Sequence, residues 1–263
     1  MSDGAKFADL RTRLISGGVM AAVGVAAIWA GGPWFSALAV IAAGLMIWEL
    51  AAMLSPDGRD EAVGLGVLAG GAVALALWLG TPWAVAVFAI PAAIGAMRVA
   101  RDKVVFAIYA LAVLSAAYGL ARFRVDYGML WLLWLVVVVV VTDVAGYFAG
   151  RILGGPKFWP RISPKKTWSG TAAGWIGAAL VGLAFLSFTT AGRDLPWISA
   201  LVAFASQMGD IAESAIKRRA GVKDSSNLIP GHGGLLDRFD GLLGAALMML
   251  VVAQVVVVPE IRG

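Results

Sequence analysis

Long apolar stretches, separated by short polar breaks, follow one another along almost the whole chain. Each is close to the roughly 17 to 25 residues that a helix needs to cross the hydrocarbon layer of a membrane. Nine candidate spans are predicted, at about residues 14–32, 34–54, 62–80, 82–97, 104–121, 128–149, 170–190, 196–215 and 240–258. The pattern therefore predicts an all-α fold, a polytopic bundle of transmembrane helices.

The breaks between spans carry glycine and proline, which stop helices and form tight turns. The clearest breaks lie at residues 31–33, 55–58, 80–82 and 194–196. We expect a single membrane domain over residues 1–263, with N-terminal helices in 1–122 and a second group of helices, where function is to be expected, in 123–263. Two long, charged connections interrupt the second part, at residues 150–169 and 216–239.

The composition excludes several classes of protein. Hydrophobic residues make up 60% of the 263 residues and charged residues 14%, against roughly 25% charged residues in a soluble domain. The absence of cysteine excludes disulfides, zinc–thiolate sites and thiol nucleophiles. The net charge of +5 comes from basic residues that flank the spans, so no nucleic acid partner is expected. We interpret residues 1–30 as a retained first helix rather than a signal peptide.

The distribution of lysine and arginine predicts the orientation of the bundle. If the N-terminus is cytoplasmic, all but four of the 21 basic residues lie on the cytoplasmic side, the exceptions being Arg122, Arg124, Arg193 and Arg262. The positive-inside rule requires such an asymmetry. We therefore expect a cytoplasmic N-terminus, a C-terminus on the opposite side, and both long connections in the cytoplasm.

Acidic residues within apolar spans are candidates for function, because a charge in hydrocarbon costs about 2.5 to 3.5 kcal/mol even on lenient scales. Glu49 lies near the cytoplasmic end of its span, where we expect it to reach water. Asp143 sits deeper. Either a structural hydrogen bond or a place in the wall of a polar cavity accounts for Asp143.

The segment 206–218 brings several polar residues to one side of a helix. Asp210 is followed at spacings of three, four and seven by Glu213, Ser214 and Lys217, which places all four on one stripe. Two carboxylates, a hydroxyl and an ammonium group near the membrane surface are typical of a binding site. An internally satisfied ion pair is the alternative.

The segment 223–240 combines glycines, three carboxylates and the only histidine. Glycines around His232 let the backbone approach a ligand and offer amide groups to phosphate oxygens. Asp237 and Asp240 are three residues apart, so one helical face presents both. Magnesium prefers carboxylate oxygens, with substrate phosphates completing its shell, although this spacing alone is not specific.

The connection 150–169 carries five basic residues together with serine, threonine and glycine. This composition suits the binding of a polyanion, but cytoplasmic loops of membrane proteins are basic in any case. Trp159 and Trp168 either stack on a base or anchor the connection at the membrane interface.

Two stretches carry fixed residues at spacings that match one known enzyme family. The first matches at Ser214, Lys217, Arg218, Lys223, Asp224, Pro230, His232, Gly233, Gly234, Asp237, Arg238 and Asp240. The second matches at Asp143, Gly146, Tyr147, Phe148, Gly150, Arg151, Ser163, Pro164, Lys166, Thr167 and Trp168. Over about residues 140–240 the chain resembles the phosphatidate cytidylyltransferases, also called CDP-diacylglycerol synthases. It departs from many members at 169–170, where they continue with glutamate and glycine and this chain has serine and glycine.

The resemblance implies CTP and phosphatidic acid as substrates, CDP-diacylglycerol and pyrophosphate as products, and a requirement for Mg²⁺. It also implies a homodimer in a lipid bilayer, and we expect a bacterial plasma (inner) membrane with the active site facing the cytoplasm. In this reaction a phosphate oxygen of the lipid attacks the α phosphorus of CTP. Because that oxygen is already anionic, the main requirement is to offset the repulsion between two polyanions.

The resemblance also assigns roles to the matched residues. We expect Asp237 and Asp240, together with Asp210, to bind Mg²⁺. The residues expected to act in catalysis are Asp237, Asp240, Lys223, Arg238 and His232. Substrate contacts are expected from Ser214, Lys217, Arg218, Lys166, Ser163, Thr167, Gly233, Gly234 and Asp224. We interpret His232 as a hydrogen-bond donor to phosphate, with acid catalysis and a purely structural role in fixing the loop as the alternatives.

Two other functions compete with this interpretation. A secondary transporter or channel also uses buried carboxylates and broken helices, but its sites lie near the membrane midplane. The polar groups here gather at one membrane face. A CTP-dependent lipid kinase would share both the nucleotide and the helical bundle.

Overall fold

Helices make up most of the chain. The computed structural model describes residues 3–256, and of residues 3–10, 59 and 82 it describes the backbone alone. The α-helices in that range are α1 (Asp3–Ala30), α2 (Gly32–Leu54), α3 (Arg59–Leu79), α4 (Ala89–Arg98), α5 (Lys103–Ile152), α6 (Trp168–Leu186), α7 (Leu195–Ala220) and α8 (Leu236–Val255). A 3-10 helix (Pro82–Phe88) precedes α4, and two strands, β1 (Lys157–Trp159) and β2 (Ser163–Thr167), precede α6. Arg262 and the end of the last predicted span lie outside the described residues.

Six of the described helices are long and apolar enough to cross a membrane, namely α1, α2, α3, α5, α6 and α8. This confirms the prediction of a mostly helical membrane protein. The fifth and sixth predicted spans fall together in the 50-residue helix α5, and the fourth falls in the 3-10 helix and α4. Helix α7 coincides with the eighth predicted span but ends in a charged segment. The count of nine spans and the orientation of the termini stay predictions.

Glycines in the left-handed region interrupt the helices. Gly31 (φ +62°) separates α1 from α2, and Gly80 (φ +64°) ends α3, which confirms the breaks predicted there. Gly128 (φ +84°) breaks the helical geometry inside α5, at the start of the sixth predicted span. Residues with a Cβ atom rarely adopt such φ angles, so glycine is the residue that permits these breaks.

Within the described residues, the chain divides into two compact units. The first unit comprises residues 3–121 and 219–239, and the second comprises residues 122–218 and 240–256. Helices α5, α7 and α8 supply residues to both units. The prediction of a single membrane domain whose catalytic helices begin at residue 123 stays a prediction.

In the first unit, α2 and α3 pack at close range. A Cβ atom at Gly66 would lie 2.7 Å from the Gly44 carbonyl oxygen, and one at Gly44 would lie 2.9 Å from the Gly66 carbonyl oxygen. Small residues allow membrane helices to approach in this way, so that their backbones touch. This close packing fixes the position of α2 at Gly44, shortly before Glu49.

The connection between α4 and α5 holds the end of α7, also within the first unit. Arg101 donates hydrogen bonds to the carbonyl oxygens of Met53 (3.2 Å) and Ala220 (2.9 Å). Asp102 accepts hydrogen bonds from Arg219, and these hold the pKa of the Asp102 carboxyl below its usual range. Because the last carbonyl groups of a helix lack partners within it, these contacts anchor the last turn of α7.

In the second unit, α7 and α8 pack through two glycines. A Cβ atom at Gly209 would clash with the Asp240 carbonyl oxygen and would lie 3.0 Å from the Gly244 amide nitrogen. A Cβ atom at Gly244 would lie 3.1 Å from the Gly209 Cα. This close packing brings Asp210, the neighbour of Gly209, near to Asp240.

A small antiparallel hairpin forms inside the predicted connection 150–169. Lys157 pairs with Thr167 and Trp159 with Ser163, with an irregularity between the two pairs. The hairpin leads directly into α6. Three of the five basic residues of this connection lie on its strands, Lys157 on β1 and Lys165 and Lys166 on β2.

Candidate active site

Three acidic side chains of the second unit converge where α7 packs against α8. Asp210 and Glu213 come from α7 and Asp240 from α8, and one carboxylate oxygen of each lies within 4.8 Å of the others. Glu213 is fully buried, and the other two are partly buried. Three carboxylates at this distance repel one another unless cations offset their charge. We call Asp210, Glu213 and Asp240 the acidic cluster.

Two lysines offset part of the charge of the acidic cluster. Lys166 Nζ, on β2, lies 2.5 Å from Asp210 Oδ2, and Lys217 Nζ lies 2.5 Å from Glu213 Oε2. Ser214 Oγ donates a hydrogen bond of 3.2 Å to Asp210 Oδ1. The contacts one turn apart on α7 confirm the stripe that the spacing predicts. Glu213 and Lys217 do form the internal ion pair that was the alternative prediction. The two lysines pair with Asp210 and Glu213, so Asp240 is a third carboxylate of the cluster beyond these ion pairs.

A polar cavity of about 450 Å³ lies beside the acidic cluster in the second unit. Its polar and charged wall residues are Thr142, Asp143, Tyr147, Arg151, Lys165, Lys166, Thr167, Thr171, Gln207 and Asp210. Asp143 thus takes the place in a cavity wall that was one of its two predicted alternatives. A cavity with both cationic and carboxylate groups suits a ligand that has phosphate groups and binds a metal ion.

Hydrogen bonds hold the wall of this cavity in place. Gln207 Oε1 accepts a bond of 3.0 Å from Trp175 Nε1, and its Nε2 donates to the Thr171 carbonyl oxygen at 3.4 Å. Thr167 Oγ1 accepts from the Gly170 amide at 3.2 Å and so caps the start of α6. Thr167, predicted to contact substrate, therefore also has a structural role.

The matched residues between 223 and 238 belong to the first unit. Asp237 is buried there, and its Oδ2 accepts hydrogen bonds from Ser225 N (2.8 Å), Ser225 Oγ (2.9 Å) and Gly234 N (2.8 Å). Lys223 and Arg238 are exposed.

Of the three predicted metal ligands, the structure brings Asp240 close to Asp210, and Glu213 lies beside them. The role of Asp237 as a metal ligand stays a prediction.

Glu49 is a second buried carboxylate of the first unit, and its side chain is 0% exposed. Its Oε1 accepts hydrogen bonds from Ser226 Oγ (2.6 Å) and Leu235 N (2.8 Å). Its Oε2 accepts from Ser225 Oγ (3.2 Å) and Leu236 N (2.7 Å). The expectation that Glu49 reaches water is therefore wrong. The first amide groups of a helix lack partners within it, and Glu49 supplies one for the start of α8.

His232 is held by the first helix. Its Nδ1 lies 2.8 Å from Ser16 Oγ, which also donates a bond of 2.9 Å to the Pro230 carbonyl oxygen. Gly231 and Gly233, on either side, have φ angles of +76° and +87°, so the backbone here requires glycine. The roles proposed for His232 toward phosphate stay predictions.

The remaining predicted contacts are spread over both units. Arg218 is exposed at the end of α7, Ser163 starts β2, and Asp224 is exposed in the first unit. The Gly234 amide, predicted to face substrate, donates instead to Asp237. The sequence did not identify Glu213 as a member of the acidic cluster or Glu49 as a partner of the segment 225–236.

Comparison with known proteins identifies relatives of the chain. Residues 11–256 match the model of a family described as the Cytidylyltransferase family. A phosphatidate cytidylyltransferase of Brucella suis biovar 1 (strain 1330) is 44% identical over 150 residues, which are 56% of each chain. Those of Bacillus subtilis (strain 168) and Helicobacter pylori (strain ATCC 700392 / 26695) are 46% identical over 123 residues and 41% identical over 128 residues, covering 45% and 46% of each chain. The chain spans about half the length of the curated relatives it matches.

Proposed function

This chain belongs to the cytidylyltransferase family, and we propose that it transfers a cytidylyl group from CTP to phosphatidate within a membrane. The products are CDP-diacylglycerol and pyrophosphate. The relatives that support this choice of acceptor carry the name phosphatidate cytidylyltransferase. The observation that carries the proposal is the acidic cluster beside a cavity that also holds lysine, arginine and hydroxyl groups.

The acidic cluster fits Mg²⁺. Its three carboxylate oxygens lie within 4.8 Å of one another, and oxygen is the ligand atom that magnesium prefers. Lys166 and Lys217 neutralise two carboxylates, which leaves excess negative charge for a divalent ion to offset. We propose that Asp210, Glu213 and Asp240 hold the ion, with Asp237 as a further candidate from the sequence. When bound, the ion offsets charge on the triphosphate and on the leaving pyrophosphate.

Basic residues of the cavity orient the substrates. Lys165, Lys166 and Arg151 line it, and their charges attract phosphate groups and reduce the repulsion between the two substrates. A phosphatidate oxygen then forms a bond with the α phosphorus of CTP. The bond from that phosphorus to the oxygen that bridges the α and β phosphates breaks, and pyrophosphate leaves with that oxygen and the electron pair. No side chain has to remove a proton, because the attacking oxygen is already ionised.

Residues of the segment 223–238 are proposed to bind phosphate groups as well. Lys223 and Arg238 are exposed and basic, which suits contact with an anionic ligand. His232 is proposed as a hydrogen-bond donor to phosphate. Its fixed position against Ser16 supports this role, because a donor has to be aimed.

The protein is an integral membrane protein, given its six long apolar helices among the described residues. We propose that it lies in a bacterial plasma membrane with its active site facing the cytoplasm, where CTP is present. The excess of basic residues on one side of the predicted bundle supports this orientation. A homodimer is also proposed, on the resemblance alone.

One assay tests the proposed function against its rivals. Purified protein is incubated with Mg²⁺, phosphatidate and CTP labelled in both the cytosine and the γ phosphate. Transfer of the cytosine label to lipid supports the proposal. Transfer of the γ phosphate alone would identify a CTP-dependent lipid kinase, and transfer of neither label would leave a transporter or channel as the better explanation.

The variant Asp240→Asn tests the acidic cluster in the same assay. Loss of one carboxylate from the metal site is expected to lower the rate of transfer by a factor on the order of 10² to 10³. The control is Asp126→Asn, which removes an exposed carboxylate that pairs with Arg122 in the same unit and should leave the rate unchanged. An Asp240→Asn protein with the wild-type rate would contradict the metal site.

A further inference from the structure

The first unit contains a contact that joins two distant parts of the sequence. Glu49, on α2, accepts four hydrogen bonds from residues that lie 176 to 187 positions later in the chain. Two of the donors are hydroxyl groups, on Ser225 and Ser226, and two are the backbone amides of Leu235 and Leu236. We call this arrangement the Glu49 latch.

The latch closes both ends of one segment. Ser225 and Ser226 stand at its start, and Leu235 and Leu236 at its end, where α8 begins. Ser225 also donates to Asp237, so the two buried carboxylates share one hydroxyl. The residues between the ends form a loop that Glu49 holds at both ends, while Ser16 contacts its middle.

A glycine makes the close approach possible. A Cβ atom at Gly234 would lie 2.5 Å from Glu49 Oε1 and would also clash with Ser225 Oγ. Any larger residue at this position would push the carboxylate away from its donors. The absence of a side chain at Gly234 therefore allows the hydrogen bonds of the latch to form.

Among the described contacts, the groups that face Glu49 are N–H and O–H donors. Charge-assisted hydrogen bonds of this kind are stronger than neutral ones, and four of them satisfy a buried carboxylate without a cation. The Glu49 carboxylate is thus satisfied by these four hydrogen bonds. What they hold in place is the loop between residues 226 and 235.

We propose that Glu49 is a positioning residue for the transfer reaction, holding the segment 225–236 so that its neighbours Lys223 and Arg238 bind the phosphates of CTP. This inference rests on the proposed function. The residue contacts no substrate in this account and acts through the loop. It extends the functional part of the chain to α2, outside the two stretches that carry the family's fixed residues.

The variant Glu49→Gln tests the latch. Glutamine keeps the shape, but its NH₂ group turns a donor toward donors and its charge is lost. We expect the KM for CTP to rise on the order of tenfold, because small displacements of positioning groups weaken the binding of substrate. The value of kcat should change less. A role in folding alone would lower the amount of active protein and leave KM unchanged.

The control is Glu61→Gln, which removes a carboxylate that is about half exposed and pairs with Arg98 on the surface of the same unit. It should leave both constants unchanged. Ser226→Ala is a milder second variant, because it removes one donor and leaves the carboxylate with three. It should raise the KM for CTP in the same direction, by a smaller factor, even if Glu49→Gln does not fold.

Amide hydrogen exchange measures the latch without reference to activity. Exchange at Leu235 and Leu236 should become faster in Glu49→Gln and stay unchanged in Glu61→Gln. Unchanged exchange would overturn the latch, and faster exchange with an unchanged KM would overturn the positioning role. A wild-type protein without transfer activity would overturn the proposed function and the positioning role with it, whereas the latch would still be judged by exchange.

Discussion

At the scale of single residues, Glu213 is the acidic side chain whose role the sequence left undecided. Its spacing from Lys217 is that of an ordinary helical ion pair, and the two do pair at 2.5 Å. Asp240, which lies close to Glu213, belongs to another helix. Helical spacing does not predict a contact between residues so far apart in the sequence. The structure therefore adds Glu213 to the proposed metal site.

The variant Glu213→Gln removes one negative charge and keeps the shape of the side chain. Because magnesium affinity depends on the number of charged ligands, we expect the Mg²⁺ concentration for half-maximal transfer to rise on the order of tenfold. A titration of the initial rate with Mg²⁺ measures this, with Asp126→Asn as the control. An identical titration curve for Glu213→Gln would remove the residue from the site.

The variant His232→Gln tests whether His232 acts as an acid or as a hydrogen-bond donor to phosphate. Glutamine can donate a hydrogen bond but does not titrate. If His232 is a donor, the variant has a lower rate and a pH–rate profile of the same shape. A profile that loses one limb would instead assign acid catalysis to His232.

Residue types and spacings predicted part of this site, and the fold supplies the remainder. The pairing of Asp210 with Ser214 follows from helical periodicity. The pairing of Asp210 with Lys166 does not, because 44 positions and a hairpin separate them. Glu49 was expected to reach water because only its place in α2 was known, and its partners lie near the other end of the chain.

At the scale of elements, the helices were predicted well because apolar runs of about 20 residues leave few alternatives to a span. Glycine and proline marked their ends correctly at Gly31 and Gly80. The hairpin at 157–167 was not predicted, since strands of three and five residues are too short to show a clear sequence pattern. Helix α5 contains two predicted spans, and the backbone angles at Gly128 mark a break at the predicted start of the second of them.

The packing of α7 on α8 gives a prediction at this scale. In Gly209→Ala, the added methyl group would meet the Asp240 carbonyl oxygen. We expect a loss of stability of about 1 to 3 kcal/mol, which is typical of overpacking, together with reduced transfer because Asp240 is displaced. Thermal unfolding in detergent measures the first effect, and the transfer assay measures the second.

The matched control is Gly71→Ala on α3. A Cβ atom there meets nothing within 4 Å. Alanine also favours the helix by about 0.5 to 1 kcal/mol relative to glycine, so this variant should be as stable as the wild type or slightly more so. A Gly209→Ala protein that behaves in the same way would show that the two helices tolerate a larger separation.

At the scale of the whole molecule, the orientation in the membrane is the main prediction that contacts cannot test. It follows from the distribution of basic residues. The chain offers a direct experiment, because it contains no cysteine. A single introduced cysteine is then the only thiol that a reagent can modify.

The variants Lys157→Cys and Thr190→Cys place a thiol at exposed positions on the two predicted sides. A membrane-impermeant maleimide added to intact cells should label Thr190→Cys. It should label Lys157→Cys only after the membrane is permeabilised. The reverse pattern would show that the bundle has the opposite orientation, with the connection 150–169 outside the cytoplasm.

The distance in sequence between Glu49 and its donors also has a consequence for biogenesis. During synthesis, α2 leaves the ribosome long before residues 225–236 exist, so its carboxylate has to enter the bilayer without those four donors. A truncated polypeptide that ends before Ser225 would lack all four donors. The partners of the Glu49 carboxylate are therefore complete only after the chain has been synthesised as far as Leu236.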